Sequence, residues 1–187
     1  MAKIDWEKVT LRKFAELISA ELNNNNIKAV LVGGACVSIY SRNKYQSQDL
    51  DYISPDSTEK ISEALKKLGF TKKGNFRHFS NVNCPFYIEF PPGPIALGNE
   101  FPKKYNELAS ITLLTPTDCV KDRLAAFYHW NDEQSLEQAL LVARKQKVNL
   151  AAIKKWSQDE NNKEKYNRFI YLLKKKKQPT VHLRGGK

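Results

Sequence analysis

Apolar residues recur at helical spacing near the start of the chain. Leu11, Phe14, Ala15, Ile18 and Leu22 fall on one face, so the pattern predicts a helix from about Trp6 to Leu22. The asparagine run 23–26 ends it. Lys28 to Val32 is a short, mostly apolar run that reads as a buried strand and stops at Gly33-Gly34. Ala35 to Tyr40 then reads as a short helix and Leu50 to Ile53 as a second strand. Ser57 or Thr58 caps a helix to about Leu68, with Ile61, Leu65 and Leu68 inward and Gly69 placed to end it. Phe76–Phe79 and Phe86–Phe90 are the best strand segments of the next stretch. Pro91, Pro92 and Pro94 close that sheet region, and Pro91 to Lys104 reads as a long loop.

Ile111 to Leu114 is a further strand, and beyond Pro116 the pattern turns helical. Helices are predicted over Thr117–His129, Ser135–Ala143, Leu150–Trp156 and Lys163–Leu173. The plan is an α/β half over residues 1–115 and a helical region over 116–187 that ends in a basic tail.

Composition narrows the class. The chain has 187 residues, 41% hydrophobic and 27% charged, which excludes a wholly disordered chain and a coiled-coil rod. No apolar run reaches the ~20 residues of a membrane span. The first 22 residues mix both signs of charge into the apolar pattern, unlike a signal peptide. Cys36, Cys84 and Cys119 are odd in number and widely spaced, which suits a reducing cytoplasm. The histidines (His78, His129, His182) are scattered and form no zinc-type spacing, and there is no Walker-type or Rossmann glycine motif.

The net charge of +11 is localised. Residues 1–143 carry seventeen basic and seventeen acidic side chains, whereas residues 144–187 carry fourteen basic against Asp159, Glu160 and Glu164. A neutral body with a cationic end suits a polyanionic partner, RNA or DNA; a solvated lysine-rich surface accounts for the same charge. The aromatic cluster Phe127–Trp130 admits base stacking through Tyr128 or Trp130, or packing within the helical half.

The chemistry concentrates between Leu31 and Ile53. Glycines after a strand let backbone N–H groups approach phosphate oxygens, and a following helix N-terminus favours negative charge. In a strand, Asp49 and Asp51 share one face while Leu50 points into the core. Paired carboxylates repel unless a cation lies between them, and hard oxygen ligands beside phosphate suit Mg²⁺. Glu89, inside the apolar run 86–90, adds a third acid if its strand neighbours the first. Each feature also has a plainer reading: a turn, a polar loop, an edge-strand charge.

Val32-Gly33-Gly34, then Ser47-x-Asp49-Leu50-Asp51-Tyr52, then an acid on a later strand, resembles the DNA polymerase β-like nucleotidyltransferase superfamily. The nearest likeness is to small bacterial members, the abortive-infection-type toxins and the minimal nucleotidyltransferases of toxin–antitoxin pairs. Two departures are visible: the gap 35–48 is one residue longer than usual, and Glu89 stands where Asp is more frequent. The resemblance implies an α/β (α+β) fold, with a mixed sheet flanked by helices over 1–115 and a helical bundle after it. It implies two Mg²⁺ ions on Asp49, Asp51 and Glu89, and transfer of a nucleotide monophosphate from an NTP to a hydroxyl. Gly33, Gly34 and Ser47 would line the nucleotide, and Lys121, in the helix after the sheet, would touch the triphosphate. Arg123, two residues on, points to another face of that helix, and Asp118 and Asp122 are competing partners for both helix cations. Arg42 and Lys44, in the loop before the acids, are further phosphate candidates, or residues of an ordinary solvated loop. The cationic end favours RNA or tRNA as acceptor, and an antitoxin protein is a partner the likeness implies. The alternative is a catalytically inactive module of the same fold that binds nucleic acid or a partner protein.

Overall fold

The computed structural model describes residues 4–74 and 77–175. A 3₁₀ turn at Trp6–Lys8 precedes α1 (Leu11–Asn24), whose first turn is capped by the Thr10 hydroxyl accepting from the Lys13 N–H. Then follow β1 (Val30–Val32), α2 (Gly33–Ser41), β2 (Asp49–Ile53), α3 (Thr58–Lys66), β3 (Thr71–Lys72), β4 (His78–Ser80) and β5 (Tyr87–Glu89). β6 (Tyr105–Leu108) and β7 (Ile111–Leu114) complete the sheet. Four helices follow among the described residues: α4 (Pro116–Trp130), α5 (Glu133–Lys145), α6 (Leu150–Asp159) and α7 (Lys163–Lys174). The fold is therefore mixed α/β, with a seven-stranded mixed sheet flanked by helices and a helical end. No helix among the described residues is long and apolar enough to cross a membrane.

Local boundaries differ from the sequence pattern in instructive ways. The first helix starts at Leu11 because Thr10 caps it; the segment before is a separate turn. α4 is capped by Thr115, with Pro116 at its first position, rather than by Thr117. α2 begins at Gly33 itself. β6 has no counterpart in the sequence pattern: Tyr105-Asn106-Glu107-Leu108 are mostly exposed and polar, and they are held extended by pairing with β7. Phe76, placed in a strand by the sequence pattern, lies outside the described residues.

The sheet order is β3-β4-β5-β2-β1-β7-β6. β1 runs antiparallel to β2 and parallel to β7, while β2 runs parallel to β5. Alternation then divides the side chains between two faces. Leu31, Leu50, Tyr52, Phe79, Ile88, Phe90 and Leu113 are fully buried on one of them. α1 lies on that face: the Tyr52 hydroxyl shares a 2.7 Å hydrogen bond with Ser19. α3 packs beside α1, and Phe14 meets Phe70 and Phe86 there at ring separations of 5.5 Å. One apolar core continues from this layer into the helical half, through Cys36, Val37, Leu124, Leu140, Trp156 and Phe169. The opposite face carries Asp49, Asp51, Tyr87 and Glu89, none of them fully buried.

Candidate functional site

Parallel pairing of β2 with β5 sets Asp49 against Tyr87, Leu50 against Ile88 and Asp51 against Glu89. Asp51 and Glu89 therefore project side by side, and Asp49 lies one pleat along β2 on the same face. Each of the three offers one carboxylate oxygen within 4.8 Å of the other two. The expected convergence of these acids is the geometry the fold produces.

The electrostatics of the cluster are unfavourable without a cation. The Asp51 carboxyl is pushed up to about 7, chiefly by burial and then by the neighbouring charges of Asp49 and Glu89. The Arg123 guanidinium pulls the other way. Three carboxylate oxygens this close together are donors of the type that a hard divalent ion such as Mg²⁺ takes. Asp49, Asp51 and Glu89 thus fit the group that the resemblance implies, by donor type, spacing and charge.

The two glycines have structural reasons to be glycine here. Gly33 has φ +67°, and a methyl built on it would sit 2.5 Å from Asp51 Oδ2. A methyl on Gly34 would sit 2.8 Å from Ser47 Oγ and 3.3 Å from the Tyr45 ring. The carboxylate of Asp51 is thus packed against the first residue of α2. That helix has Val32 at its N-cap and no side-chain cap, so its first N–H groups are left for another acceptor.

Ser47 is nearly buried, and its hydroxyl donates to Asp49 Oδ1 at 2.6 Å. Its backbone N–H in turn donates to the Ser38 hydroxyl of α2. In this arrangement Ser47 orients Asp49, a role distinct from the nucleotide contact expected of it.

The cations sort differently from the sequence expectation. Lys121 is buried and donates to Glu100 Oε2 at 2.8 Å, in a cleft also lined by Lys103, Lys104 and Lys147. The three acids do not line that cleft. Arg123, two residues on, projects from another face of α4, and its charge is the one that acts on Asp51. Its fork is held by Asp122 through Nε (2.9 Å) and Nη2 (2.6 Å), with Nη1 reaching Gln138. Arg42 and Lys44 lie exposed in the α2–β2 connection.

His78, set aside in the sequence as one of three scattered histidines, lies directly across from Glu89 in the antiparallel β4–β5 pair. Its Nδ1 is 3.0 Å from Glu89 Oε1, and its ring stacks on Tyr87 with centroids 4.8 Å apart. A histidine two residues from Ser80 in a short strand carries no local signal of this contact; only the strand pairing creates it. In the aromatic cluster, Phe127 and Tyr128 are core residues, Tyr128 stacked on Trp156, while Trp130 is exposed.

Two residues along β1 and β2 from the acids, on the same sheet face, Val30 and Ile53 open into a groove of about 910 Å³. Ile95, Pro94, Tyr105 and Thr112 complete its walls, and no acidic side chain lines it.

Comparison of the chain with protein-family models, with curated proteins and with solved structures finds no match.

Proposed function

We propose that the protein is a divalent-metal-dependent nucleotidyltransferase that moves a nucleotide monophosphate from an NTP to a hydroxyl group. The observation that carries this reading is the convergence of the half-buried Asp49, Asp51 and Glu89 on one sheet face beside the start of α2, which has no side-chain cap. Three carboxylates with hard oxygen donors, next to backbone N–H groups able to donate to phosphate oxygens, match the needs of in-line phosphoryl transfer.

Asp49 and Asp51 would hold Mg²⁺, with Glu89 completing the set; when bound, the metal supplies charge neutralisation at the triphosphate and acidifies the attacking hydroxyl. The first N–H groups of α2 receive triphosphate oxygens, and the missing Cβ atoms at Gly33 and Gly34 let them come close. Arg123 offsets negative charge on the same side. The acceptor oxygen bonds to the α-phosphorus, the bond between the α-phosphorus and the bridging oxygen breaks, and pyrophosphate leaves. The hydroxyl proton passes to Glu89 or to water. The groove beyond Ile53 offers room for the acceptor. RNA, tRNA included, is the favoured acceptor because the excess positive charge lies in the last 44 residues. An antitoxin partner rests on the family resemblance alone.

The test is a labelling assay. The chain is incubated with Mg²⁺, each α-labelled NTP and either cellular RNA or protein, beside the Asp49→Ala/Asp51→Ala double variant. Label in RNA from the unaltered chain only is the expected result. Label in protein keeps the chemistry and removes the RNA reading. No label in any fraction from folded protein, with salt-sensitive RNA binding retained, sinks the enzyme reading in favour of an inactive binding module.

A further inference from the structure

We propose that His78 is a positioning residue for Glu89: it ties one carboxylate oxygen so that the other is presented to the metal held with Asp49 and Asp51. The inference rests on the metal-site reading above and names a residue which that reading does not require.

The argument begins with side-chain length. Asp51 and Glu89 start from paired positions on adjacent strands, yet Glu89 is one methylene longer. Its side chain is 43% exposed, so packing alone does not select one rotamer. A flexible carboxylate facing two other negative charges is driven away from them. A tether that holds it in place must act on one oxygen and leave the second available.

His78 meets this requirement. An ionised carboxylate only accepts hydrogen bonds, so the 3.0 Å contact requires the proton on Nδ1. The contact engages Oε1 alone. The imidazole is itself fixed, by the backbone register that sets it opposite Glu89 and by stacking on Tyr87. Tyr87 in turn pairs with Asp49 across β2 and β5. The ring therefore belongs to one connected set with two of the three acids. Carboxylates that ligate metals are commonly held by such an outer hydrogen bond, and loss of the outer partner typically costs about 10–100-fold in metal affinity or activity.

Mn²⁺, counted as free ion by electron paramagnetic resonance, serves as probe for the unaltered chain and three variants. His78→Phe keeps the ring on Tyr87 and removes the donor; His78→Asn returns an N–H near the Nδ1 position. The expected result is a roughly 10–100-fold weaker Mn²⁺ affinity for His78→Phe at unchanged melting temperature, largely restored in His78→Asn. In the unaltered chain, long-range ¹H–¹⁵N spectra should show His78 protonated at Nδ1. Mn²⁺ affinity unchanged in His78→Phe, while Asp49→Ala/Asp51→Ala abolishes it, overturns the role of His78 and leaves the metal site standing. A proton found on Nε2 alone overturns it without any substitution. Unchanged affinity in the double-alanine variant removes the metal site and this inference together.

Discussion

Asp51 and Glu89 occupy paired positions on two parallel strands, and the carboxylate of Asp51 lies where a Cβ on Gly33, at the start of α2, would point. This places a half-buried, repelled acid where strand, strand and helix meet. Its protonation is therefore coupled to the fold and to any cation that arrives.

The coupling predicts a pH-dependent stability with a definite sign. The carboxyl of Asp51 is raised from its ordinary 3.8 to about 7, chiefly by burial and then by Asp49 and Glu89. Between these values the folded chain keeps a proton that the unfolded chain has lost, so stability falls as pH rises. The contribution is complete below about pH 4 and lost above about pH 7, and amounts to on the order of 2–4 kcal/mol. In melts without metal, Asp51→Asn should reduce the drop in Tm from pH 5 to pH 8 by roughly 5–10 °C relative to the unaltered chain. Mg²⁺ at pH 8 should raise Tm of the unaltered chain and leave that of the variant nearly unchanged. Equal pH profiles for the two chains would show that Asp51 is not the group responsible.

Gly33→Ala should be costly for two separate reasons. Its φ of +67° disfavours any side chain, at about 1–2 kcal/mol, and the added methyl presses on Asp51 Oδ2. A loss of several degrees in Tm is expected, together with weaker Mn²⁺ binding because the carboxylate must move. Gly74, with a similar φ and nothing within 4 Å of an added methyl, is the control. Gly74→Ala should share the loss in stability and spare the metal affinity. Equal metal affinity in both variants would remove Gly33 from the site.

The two cations of α4 should separate. On the proposed nucleotidyltransferase reading, Arg123→Met should lower kcat/KM for the NTP at least about tenfold, equivalent to ~1.4 kcal/mol, because its charge acts on Asp51. Lys121→Met removes the partner of Glu100 and should act mainly on Tm. Steady-state kinetics beside melting curves distinguish the two. A larger kinetic loss in the Lys121 variant would restore that residue to the triphosphate role its motif position implied.

Much of this arrangement follows from local pattern. The 3.6-residue spacing of Leu11, Phe14, Ile18 and Leu22 specifies the buried face of α1, since a helix can turn only one stripe toward a core. Alternation around Leu50 puts Asp49 and Asp51 on one face, because successive strand side chains must oppose each other. Gly33-Gly34 marks the turn from β1 into α2, where a Cβ has no room. These are short-range consequences of backbone geometry, and the sequence by itself determined them. Tertiary structure decided the rest. Glu89 becomes the third acid only through parallel pairing with β2, 38 residues away in the chain. His78 meets Glu89 through a second pairing that its local sequence does not encode. Ser47 turns to Asp49, and Lys121 turns to Glu100 while Arg123 takes up the acid site's field. Partner choice among polar side chains depends on which elements lie within hydrogen-bond reach, and long-range packing, not residue spacing, sets those distances.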